Sequence, residues 1–98
     1  MGTVPIYQIG KEGLSLFLGG RMGPVKRSIM IAGHATSISL EPAFWAALRA
    51  AAAAEGLPLS ALVARIDAER IASPTPPGLA SAIRLWLVGW LAARLDEG

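Results

Sequence analysis

The sequence predicts a mainly α chain with a short β-ribbon: one or two strands, two helices and a third C-terminal helix, paired with a second copy of itself. Three observations predict it. A strand-like run over residues 35–40, with Ile38 and Leu40 alternating with Ser37 and Ser39, gives way at Pro42 to helical spacing. A glycine at position 56 divides that helical pattern in two. Finally, the 98 residues are 53% hydrophobic and only 16% charged, with a mean hydropathy of +0.49. A chain of this size buries only about two-thirds of its unfolded surface, so the apolar surplus points to a partner, and the usual partner is a second copy.

Residues 1–25 read as an N-terminal extension to a domain spanning 26–98. Gly2, Gly10, Gly13, Gly19, Gly20 and Gly23, with Pro5 and Pro24, interrupt every apolar run. Short strands fit only around Val4–Ile9 and Leu14–Leu18, and Met22 heads a segment that reads as a start. From Ser28 the pattern sharpens. Ile29, Met30 and Ile31 form a strand-like run ending at Gly33-His34, and a second strand follows from Ala35 to Leu40. In it Thr36, Ile38 and Leu40 share one face and Ser37 and Ser39 the other. The glycine between the runs fits an antiparallel hairpin.

Glu41-Pro42 opens a helix, because a proline in the first turn gives up an N–H that has no helical partner. Phe44, Leu48, Ala51 and Ala52 recur at helical spacing, and Glu55-Gly56 ends it. A second helix is predicted from about Leu59 to Arg70, with Leu59, Leu62, Val63 and Ile66 on one stripe and an Arg65–Glu69 pair outside. Ser73 to Gly78 carries three prolines and reads as a stiff linker. A third helix is predicted from Leu79 to about Arg94, with a broad stripe of Leu79, Ile83, Trp86, Leu87, Trp90 and Leu91 that is expected to add contact surface between chains.

Composition excludes several classes. The longest apolar stretch, Leu79 to Leu95, contains Arg84 and Arg94. It falls short of the roughly 20 apolar residues of a spanning helix, so no membrane is expected. The N-terminal segment lacks the pattern of a secretory signal, and a cytoplasmic protein is expected. Without cysteine there is no disulfide framework, thiolate metal site or cysteine nucleophile. The single histidine, His34, excludes a multi-histidine metal site within one chain and any His-paired catalytic system. The glycine-rich segment 10–23 lacks phosphate-loop spacing. The expectation is no enzyme, no metal and no cofactor. The net charge is only +2, yet Lys11, Arg21, Lys26 and Arg27 face Glu12 alone before residue 35, which is +3 in that third. An anion-attracting surface is expected there.

The run His34-Ala-Thr-Ser-Ile-Ser-Leu-Glu-Pro-Ala-Phe-Trp-Ala-Ala-Leu48 resembles the opening of a bacterial ribbon-helix-helix (Arc/MetJ-like) domain. Glu55-Gly56, Leu59-Ser-Ala-Leu62 and Ile66-Asp67 resemble its second half, and Ser81 to Leu85 the extra C-terminal helix of one subfamily. The resemblance implies an intertwined homodimer, with tetramers left open. Each chain contributes a strand to a two-stranded ribbon that enters the major groove of double-stranded DNA, as a transcription regulator does. It implies Ile38, Leu40, Phe44, Trp45, Leu48, Leu62 and Ile66 in the dimer core. Ser37 and Ser39 would face bases, with Lys26, Arg27 and His34 on phosphates. The start of the second helix would hold a further phosphate by its amides. Three departures stand out. Serine discriminates bases weakly, Glu41 would repel phosphate, and Leu57-Pro58 replaces the polar cap of the second helix. They favour an alternative, a ribbon-helix-helix-derived oligomerisation module without DNA binding.

Two further readings concern single residues. Ser37 and Ser39 are equally a base-contacting row or the solvated face of a strand. Arg84 either snorkels to water or takes a carboxylate partner, for which Asp67 is the candidate. Trp45, Trp86 and Trp90 read as packing mass rather than a ligand cage.

Overall fold

A computed structural model describes residues 23–97; the strands expected around Val4–Ile9 and Leu14–Leu18 lie outside the described residues. β1 (Val25–Ile31) and β2 (His34–Leu40) form an antiparallel hairpin, followed by α1 (Pro42–Glu55), α2 (Leu59–Ile71) and α3 (Leu79–Glu97). β1 therefore starts well before the apolar run at Ile29. The register pairs Val25 with Leu40, Arg27 with Ile38, Ile29 with Thr36 and Ile31 with His34. Partners directly opposite share a face, so these eight residues line one side. Lys26, Ser28, Met30, Ala35, Ser37 and Ser39 line the other.

Two residues turn the hairpin, Ala32 at φ 51° and Gly33 at φ 83°. Positive φ at both positions matches the twist of the flanking strands. Glycine adopts it freely, while the left-handed region costs an L-residue such as Ala32 about 1–2 kcal/mol. α1 ends as its Glu-Gly sequence predicts: Gly56 sits at φ 69°. Its amide and that of Leu57 reach back to the carbonyls of Ala53 and Ala52 at 3.1 and 2.9 Å. Pro58 precedes α2 and no side chain caps that helix.

The helices cover one face of the hairpin, and α3 packs against both α1 and α2. The core comprises Ile31, Ile38, Leu40, Trp45, Leu48, Ala51, Ala52, Leu62, Val63, Ile66, Ile83 and Leu87. Six residues expected in a dimer core (Ile38, Leu40, Trp45, Leu48, Leu62 and Ile66) are at most 2% exposed within a single chain, and Phe44 is half-buried. Their burial thus needs no second copy, because α3 supplies Ile83 and Leu87 to the same cluster. The reverse side of α3 leaves Leu85, Val88 and Leu95 exposed.

The expected Arg65–Glu69 pair is replaced by Arg65 with Glu55, at 3.5 Å across the α1–α2 corner. Glu55 is held there by the indole N–H of Trp90, which donates to it at 3.3 Å. Trp86 and Trp90 stack at 6.4 Å between centroids, and the Arg94 guanidinium lies 4.5 Å over Trp90. These two tryptophans pack on the rim of the core, and Trp45 lies in its centre.

Candidate nucleic-acid interface

The hairpin sorts the residues expected to contact DNA into two groups. Lys26, Ser37 and Ser39 lie on the side away from the helices, with Lys26 directly opposite Ser39. Ser28, which the sequence reading passed over, stands opposite Ser37 and is exposed. Its signal was available in the alternation, because Lys26, Ser28 and Met30 share a parity in β1 as Ser37 and Ser39 do in β2. The outward face is therefore a patch of one cation and three hydroxyls, with Met30 and Ala35 near the turn.

Arg27 and His34 belong by register to the helix-facing side. His34 stands exposed at the turn end, opposite Ile31. The Arg27 guanidinium lies 5.7 Å over the ring of Trp45, and the indole N–H of Trp45 donates to the Val25 carbonyl at 2.8 Å. Arg27 thus folds its stem over the edge of the core while its charge stays in water. Of the two adjacent cations, Lys26 projects from the outward face and Arg27 flanks it.

At the far end of β2, Glu41 is held in an extended conformation at the entrance to α1, and its side chain makes no helix cap. The Nε and Nη2 of Arg84 donate to one Glu41 carboxylate oxygen at 3.0 and 2.8 Å. Those hydrogen bonds, helped by Glu41's own backbone amide, hold its carboxyl below the usual carboxylate range. The candidate partner Asp67 does not meet Arg84. It accepts from Arg70 Nε at 2.8 Å instead, because the two lie one turn apart on α2. Arg70 in turn donates to the Pro77 carbonyl at 3.1 Å. Arg84 is carried instead to the start of α1, where its guanidinium also lies 5.6 Å over Phe44. Sequence spacing could not reveal a pair 43 positions apart.

A strand leading through an extended Glu-Pro into one helix, a glycine corner and a second helix is also what the family comparison detects: the ribbon-helix-helix domain model matches residues 24–91. The chain belongs to the ribbon-helix-helix family. Comparison with curated proteins and with solved structures returns no match. The family match takes in both strands of the hairpin and most of α3. Ribbon-helix-helix domains are generally DNA-binding regulators, a non-enzymatic class whose members dimerise. Among the described residues there is no cluster of potential metal ligands, and no single helix is long and apolar enough to cross a membrane.

Proposed function

We propose that this chain is a cytoplasmic DNA-binding transcription regulator acting as a homodimer, without enzymatic activity or cofactor. One observation carries the reading beyond family membership: the face of the hairpin turned away from the helices presents Lys26, Ser28, Ser37 and Ser39 and no acidic residue. Among the described residues β2 has β1 as its only neighbour in the sheet, which leaves its second edge for the β2 of another copy. A sheet built that way has four strands, β1-β2-β2-β1, rather than the two that the resemblance implies.

Four strands span roughly 14 Å between the outermost backbones at about 4.8 Å per gap, against a major groove about 12 Å wide. The central β2 pair therefore enters the groove while each β1 rides on its rim. Ser37 and Ser39 face base edges, and Lys26 and Ser28 face phosphates, with Arg27 and His34 flanking. Hydroxyls discriminate bases weakly, so phosphate contact and groove shape supply much of the affinity.

A mobility-shift titration on genomic fragments at low and physiological salt tests this reading, with the oligomer mass measured alongside. The expected result is tight binding to a few fragments, lost steeply with salt. Lys26→Ala, which removes one phosphate contact from each chain of the dimer, should weaken all of them and reduce the salt slope by about two. The row of serines also suits a second reading, an assembly module that keeps the fold without DNA binding. A well-folded dimer that shifts no fragment even at low salt would select it.

A further inference from the structure

Among the described residues, Glu41 is the only carboxylate between positions 23 and 54. It sits two residues past Ser39, in an extended chain, so it lies roughly 7 Å beyond the last serine of the outward row. A bare carboxylate there stands within about one Debye length of any phosphate bound at that row. The structure does not leave it bare. Arg84 holds it from α3 through two hydrogen bonds to one oxygen, and the Phe44 ring supports the guanidinium. Both side chains keep about a quarter to a third of their exposure, so the pair stays electrostatically visible from solvent. Upstream, the Asp67–Arg70–Pro77 contacts tie the proline linker to α2 and fix where α3 begins.

We propose that Arg84 is a positioning residue for DNA binding: it draws the Glu41 carboxylate back toward α3 and cancels the one acidic charge at the end of the ribbon. This rests on the DNA-binding reading above. Lys26, Arg27 and Arg84 against Glu41 give this end of the molecule a charge of +2; without Arg84 it falls to +1, with the Glu41 charge left unpaired. α3 therefore has a second task besides filling the core, which is to make a β2–α1 junction that carries a glutamate tolerable to DNA.

The test compares R84Q, E41Q and the double variant R84Q/E41Q with the wild type on a fragment that the wild type shifts, at two salt concentrations. Circular dichroism confirms that each is folded. A charge-masking role predicts opposite signs for the single variants. R84Q should bind about sevenfold more weakly at low salt, from two unit charges per dimer, each taken at about 7 Å from a phosphate in water. E41Q, which frees the Arg84 charge, should bind more tightly, and the double variant should return to the wild-type affinity. The R84Q deficit should shrink as salt rises. A merely structural ion pair predicts instead that both single variants weaken binding, and that pattern would overturn the proposal, as would an R84Q protein binding like the wild type. If the wild type shifts nothing at low salt, the DNA reading itself is lost and this proposal with it. A wild type that binds while R84Q and E41Q move together removes the charge-masking role alone.

Discussion

On one side of the hairpin Val25, Ile29, Ile31, Ile38 and Leu40 go under the helices, whereas on the other Lys26, Ser28 and Ser37 are exposed and Ser39 is half-buried. Both sides come from the same two strands, and the alternation of side chains is the whole of the difference. The consequence is a separation of tasks. The inner row contributes the free energy of the fold, and the outer row is free to vary for contact with a partner. Arg27 and His34 are exceptions: His34 is exposed at the turn, and Arg27 is an inner-row residue whose charge escapes over Trp45 to the rim.

The largest effect that could break this comparison is Leu40→Ala. Leu40 is fully buried, and truncating a buried leucine costs about 2–5 kcal/mol. Ser37→Ala, on the opposite face, should change stability by no more than about 0.5 kcal/mol. Urea unfolding of both variants measures the contrast, and equal losses would dissolve it. Running the wild type at two protein concentrations sharpens the result, since an obligate dimer gains stability with concentration. Its absence would mean that the intrachain burial of Leu40 suffices.

Next in size is Trp45→Phe. The phenyl ring keeps most of the packing but leaves the Val25 carbonyl without its 2.8 Å donor. Removing one partner of a partly buried hydrogen bond costs about 1–3 kcal/mol. The loss should fall on β1, so the amides of Val25 and its neighbours should exchange hydrogen faster than those of α1. Uniform acceleration across the chain would show instead that Trp45 acts through the whole core.

Much of this arrangement was legible in the sequence because it depends on local periodicity. The alternation from Ala35 to Leu40, Pro42 in a first turn, Gly56 at the corner and the proline linker each act through the backbone of a few neighbouring residues, and each stands where it was expected. Contacts that depend on tertiary approach were not legible. Arg65 had a carboxylate one helical turn away in Glu69 but meets Glu55 of the preceding helix. Arg84 had a candidate in Asp67 but meets Glu41. A local spacing rule cannot weigh a partner that only the folded chain brings near. The stripe on α3 was visible, and part of it is used within the chain. Ile83 and Leu87 complete the core of their own chain, so α3 is part of the fold and not merely a surface laid upon it.

The smallest expected effect joins the two sides of the comparison, because Glu41 stands where the outward row meets the helices. The Arg84 hydrogen bonds lower its carboxyl pKa from the ordinary 4.5. A carboxyl whose folded pKa is depressed binds its proton more weakly in the native state than in the unfolded chain. Its contribution to stability is therefore present above the unfolded value and is lost as pH falls through the folded one. The difference in melting temperature between wild type and E41Q should accordingly be constant near neutrality and shrink steadily below about pH 4.5. Both side chains are partly exposed, so added salt should reduce the difference at neutral pH as well. A difference that persisted unchanged into acid would mean that Glu41 supports the fold through its shape at the helix entrance, and that its charge matters only to what approaches from outside.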